Sequence, residues 1–128
     1  MRFEILFLDE CLEVKTFGDA ELNVFKDMTL AILSDQYWHP GQAILINHSE
    51  LNTAPLATDE LLELAVFNQQ FNTKIGQAKI AILVARDLEF GLSRMWQVFS
   101  SEERESATKI FKDREEALFW LKGSGFNK

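Results

Sequence analysis

The chain has a single cysteine, which excludes an intramolecular disulfide framework and a zinc cluster built on thiolates. Basic residues are scarce too: 13 Lys and Arg stand against 20 Asp and Glu, a net charge of −7. Nonspecific nucleic-acid binding needs clustered cations to neutralise phosphates, so no nucleic-acid partner is expected. No apolar run approaches the ~18 residues of a membrane span, and no charged-then-apolar leader opens the sequence. Internal repeats, low-complexity tracts and linkers are lacking as well. What remains is 128 residues, 47% of them hydrophobic, which suits a single core-forming domain over 1–128, expected in the cytoplasm.

Phe3 to Leu8 is aromatic and β-branched, and Leu12 to Phe17 alternates apolar with polar residues; the pair reads as an antiparallel hairpin. Asp19 is a candidate N-cap for a helix carrying Leu22, Phe25, Met28 and Ile32 at helical spacing. Pro40 and Gly41 break it, and Ala43 to Ile46 then reads as a strand buried on both faces in mid-sheet. Asn47 to Leu56 is polar, holds Pro55 and reads as a loop. Thr58 or Asp59 can cap a second helix, whose apolar row of Leu61, Leu64, Phe67 and Phe71 is flanked by Leu62 and Val66. So broad an apolar surface predicts a helix covered on more than one side.

Ile80 to Val84 is a second wholly apolar strand. Asp87 can cap a third helix with a core row of Leu88, Leu92, Met95 and Phe99, and residues 100–106 read as a loop. A short strand nearer the sheet edge follows at Thr108 to Phe111. Asp113 and Glu116 have capping-box spacing before a last helix with Ala117, Leu118 and Leu121 turned inward. The order is β-β-α-β-α-β-α-β-α: an α/β fold with a mixed, mainly parallel sheet, an N-terminal antiparallel hairpin and helices covering it.

Three stretches carry a resemblance to a known family: Ala43-Ile44-Leu45-Ile46-Asn47; Ala78 to Ala85 with the segment 87–95 after it; and Ile110-Phe111-Lys112-Asp113-Arg114-Glu115-Glu116-Ala117-Leu118-Phe119-Trp120-Leu121. With the order of elements, they make the chain resemble the SpoIIAA-like family of bacterial proteins. That fold is related to STAS domains and, more distantly, to CRAL-TRIO lipid carriers. The resemblance implies fold rather than chemistry, since fold does not carry function with it. Anti-sigma-factor antagonists of the STAS group have an Asp-Ser-Ser-Gly-like stretch after the central strand, where a serine is phosphorylated. Here that place reads Asn47-His48-Ser49-Glu50-Leu51, without the tandem serines, the glycine or the leading Asp, so the phospho-switch is not carried over to Ser49.

Ligands of parallel sheets usually sit beyond the carboxyl ends of the strands. That rule selects Asn47, His48, Ser49, Arg86 and Asp87 as a candidate ligand rim. No nucleophile elbow accompanies Ser49, and no catalytic residue is assigned. Arg86 or Arg94 near a helix start could hold an anion, but Asp87 as the cap of that helix is the preferred reading. His39 and His48 flank a strand at opposite ends, too far apart for one metal. No phosphate-binding loop occurs, so neither metal nor cofactor is expected. Cys11 lies among Asp9, Glu10 and Glu13, which disfavour a thiolate. Phe90, Arg94 and Trp96 form a candidate interface for a homodimer or another protein, because aromatics and Arg are enriched in interface cores.

Three functions follow. The leading one is a non-enzymatic regulatory or protein-interaction module. The alternative is a carrier or sensor of a small apolar or amphipathic ligand, supported by the CRAL-TRIO relationship and the apolar second helix; an elongated apolar cavity would favour it. A hydrolase or acyl-transfer enzyme using His48 and Ser49 comes third.

Overall fold

A computed structural model describes residues 1–8, 11–85 and 107–123. Strands β1 (Arg2–Leu8) and β2 (Cys11–Asp19) form the antiparallel hairpin, with Ile5 opposite Val14. Helix α1 (Leu22–Leu33) leads to β3 (Ala43–Asn52). Helices α2 (Thr58–Gln69) and α3 (Asn72–Ile75) lead to β4 (Lys79–Leu83). Strand β5 (Ala107–Phe111) and helix α4 (Arg114–Gly123) close the described chain.

Among the described residues the strands form one five-stranded sheet in chain order, antiparallel at β1–β2 and parallel from β2 to β5. This is the expected mixed sheet, with β3 at its centre and β5 at an edge. Alternation along each strand sends side chains to two faces. Leu12, Val14, Ile44, Ile80 and Ile82 meet Phe25, Met28 and Ile32 of α1 and Leu61 and Leu64 of α2 on the first face. Cys11, Leu45, Ala81, Leu83 and Phe111 meet Ala117 and Leu121 of α4 on the other.

Local chemistry explains the breaks. His39-Pro40-Gly41-Gln42 is a turn closed by the Gln42 amide on the His39 carbonyl at 3.0 Å. Proline fixes its second position, and glycine takes φ +87° at the third, a conformation other residues resist. Asp113 caps α4 by accepting the Glu115 amide at 3.0 Å, because helix-start N–H groups need an acceptor.

Several expectations need correction. Asp19 does not cap α1; Glu21 holds the cap position, and Asp19 accepts instead from Asn52 Nδ2 at 3.0 Å. Ala57, rather than Thr58 or Asp59, precedes α2, and its amide donates to the Glu60 carboxylate at 2.9 Å. The segment read as a loop from Asn47 continues β3 to Asn52. Helix α2 is covered on one side only: Leu62 and Val66 are exposed, while Leu61, Leu64 and Ala65 are buried. The helix expected over 87–99 and the loop over 100–106, including Arg86, Asp87, Phe90, Arg94 and Trp96, lie outside the described residues.

Candidate functional site: an apolar cavity beside a bulged strand

The end of β3 is bulged. Lys15 pairs with Asn47 and Phe17 with Glu50, so Thr16 of β2 faces two residues, His48 and Ser49. A bulge shifts the alternation by one. Ile44, Ile46 and His48 share the first face, and after the extra residue Leu51 returns to that same core. The shift keeps a polar-looking segment in the sheet with its apolar side still buried.

His48 is buried, only 9% exposed. Its Nδ1 lies 2.7 Å from Thr16 Oγ1, and that hydroxyl reaches the Asn47 carbonyl at 3.2 Å. With the hydroxyl proton on the carbonyl, Thr16 accepts from Nδ1–H. The Phe25 ring meets the imidazole edge-on, centroids 5.7 Å apart.

Below His48 the sheet and helices leave a cavity of about 110 Å³, walled by side chains such as Phe25, Ile32, Trp38, Ile46, Leu64 and Ile82. Its β3 wall runs from Ile44 to His48, about 13 Å at the usual rise per residue. Among the described residues four polar side chains, Thr29, His48, Thr53 and Asn68, break the apolar lining. No described residue on the wall is an Asp, Glu, Lys or Arg. Thr29 Oγ1 donates to Asn68 Oδ1 at 3.0 Å across the seam between α1 and α2.

The opposite face carries the charges. Glu13, buried in β2, accepts two bonds from Arg114 at the start of α4, each 2.6 Å, and one from Asn47 Nδ2 at 3.3 Å. The bonds from Arg114 outweigh burial and, with the Asn47 bond, hold the Glu13 carboxyl below its ordinary value. Burial and then the Glu13 charge push the Cys11 thiol up to about 11. Asn47 Oδ1 in turn accepts from Ser49 Oγ at 2.6 Å.

The structure thus places Asn47, His48 and Ser49 within a paired strand rather than beyond its end, because the bulge carries β3 on past them. His48 bonds Thr16 and faces the cavity; Ser49 bonds Asn47 and is exposed. The two therefore do not form a nucleophile–base pair. Among the described residues no three His, Cys, Asp or Glu side chains come together as a metal site, and no helix is long and apolar enough to cross a membrane. Sequence reasoning missed Thr16, Thr29 and Asn68; the helical spacing of Thr29 beside Phe25 and Ile32 was the signal for one of them.

A solved structure aligns with nearly all of this chain. It is an uncharacterised protein from the DUF3478 family with a SpoIIAA-like fold, from Shewanella loihica PV-4. It matches with a TM-score of 0.58, covering 94% of this chain and 92% of that one. The fold is SpoIIAA-like. At 22% sequence identity the likeness speaks for the SpoIIAA-like fold and not for an activity. No protein-family model and no curated protein matches the sequence.

Proposed function

We propose that this chain is a non-enzymatic regulatory module that works by binding a small, largely apolar ligand between α1, α2 and the sheet. One observation carries the reading: the cavity of about 110 Å³ on the first face of the sheet. It is an apolar recess between the helices and the sheet that the described side chains leave unfilled. Concave, mostly apolar pockets with a few convergent polar groups are the usual form of small-molecule sites. In this reading the protein senses or carries the ligand, and a partner protein or second copy reads the occupied state.

The hydrolytic alternative lacks this support, since Ser49 hydrogen-bonds Asn47 while His48 Nδ1 hydrogen-bonds Thr16. Native mass spectrometry of the untagged protein from its own host, before and after denaturation, tests the proposal. A small organic compound released with the fold supports it. A chain that arrives empty and also takes up no added benzene contradicts it.

A further inference from the structure

The chemistry of the cavity wall narrows what it can hold. This step rests on the ligand-binding reading above and goes on to the class of ligand. An engineered apolar cavity of about 150 Å³ accepts benzene. A space of about 110 Å³ that reaches the half-buried Thr29, Leu33 and Asn68 is therefore on the scale of one small ring or a short branched chain.

Charge is the second restriction. No described lining residue is an Asp, Glu, Lys or Arg. An ionised ligand would leave water with no Asp, Glu, Lys or Arg among the described lining residues as counter-charge, which is strongly unfavourable. Carboxylates, phosphates and ammonium compounds are poor fits.

A third feature gives the ligand a polar end. Thr29 has one hydroxyl proton and two acceptors in reach, the Phe25 carbonyl at 3.3 Å and Asn68 Oδ1 at 3.0 Å. One proton cannot fully satisfy both. The Asn68 carboxamide adds two N–H donors at the same seam. The pair can donate to a carbonyl, or both donate to and accept from a hydroxyl, while an apolar body lies against Ile46, Leu64 and Ile82.

We infer that the cavity selects a neutral molecule about the size of one ring, bearing one hydroxyl or carbonyl that bonds the Thr29–Asn68 pair. Calorimetric titration of the full chain with benzene, phenol and benzoate in neutral buffer tests it. Phenol should bind about three- to tenfold tighter than benzene, as one net hydrogen bond allows. Benzoate should bind weaker than phenol by on the order of a hundredfold. Thr29→Val and Asn68→Leu, both at half-buried positions, should abolish the preference, bringing the ratio of phenol to benzene affinity to about one. Retained benzene binding shows that each variant keeps its fold and cavity. Benzoate binding as well as phenol, or a phenol preference surviving both substitutions, overturns this inference but leaves the ligand-binding reading standing. Failure of benzene and phenol alike overturns both.

Discussion

Arg114 grips Glu13 from 101 residues away, with two 2.6 Å hydrogen bonds that fix the first turn of α4 to the second strand. The carboxylate is nearly inaccessible, while the guanidinium side chain is 42% exposed. Most of the cost of breaking the pair therefore falls on Glu13, left as a buried charge with Asn47 as its remaining donor. Arg114→Met should lower stability by about 2–3 kcal/mol, discounted for the exposure of Arg114. Glu13→Gln in the same background should restore part of it. Urea denaturation of the single and double variants measures both, and equal stability of Arg114→Met and the native protein would contradict the assignment.

The same pair sets an acid dependence. Folding holds the Glu13 carboxyl below its ordinary value of 4.5. A depressed folded value means that the unfolded chain takes up the proton first as pH falls. The contribution is complete above about pH 4.5 and is lost as pH drops through the lower folded value. Stability curves of the native protein should fall more steeply in that acid range than those of Glu13→Gln. Parallel curves would show that Glu13 titrates alike in both states.

Cys11 should be chemically silent in the folded protein. With its thiol pushed up to about 11 by burial and by Glu13, almost no thiolate exists at neutral pH. A disulfide-exchange reagent should modify it only at the rate of unfolding, and at once in denaturant. Rapid modification of the native chain would place Cys11 at the surface.

Thr16 joins the two faces of the bulge through His48 and the Asn47 carbonyl. Thr16→Val keeps the shape and removes the hydroxyl, leaving buried polar groups without that partner. The expected loss is about 1–2 kcal/mol, with a change in the His48 imidazole nitrogen resonances. Wild-type stability and unaltered resonances would remove Thr16 from the account.

The sequence was most readable where periodicity stayed in phase. Leu12 to Phe17, Ile80 to Val84, the row Phe25, Met28, Ile32 and the Asp113 cap each show their element directly. The sequence does not show the full length of β3, because the bulge shifts Leu51 out of phase with Ile44 and Ile46 and because Asn47, Ser49 and Glu50 are polar. On α2, apolar composition overstated burial, since Leu62 and Val66 remain exposed. Composition also could not reveal the cavity. A row such as Leu61 and Leu64 reads alike whether its partners fill the space or leave a void. The Glu13–Arg114 pair was hidden for another reason: only the folded sheet brings residues so distant in sequence together.

The central claim is that the first face of the sheet holds a ligand-sized space. Methyl-detected NMR of the full chain titrated with benzene tests it most directly. The account predicts saturable shifts at the Ile44, Ile46, Leu64 and Ile82 methyls, which line the cavity, while Leu45 and Leu121 on the far face stay still. Shifts spread equally over both faces, or none at any concentration, would contradict it.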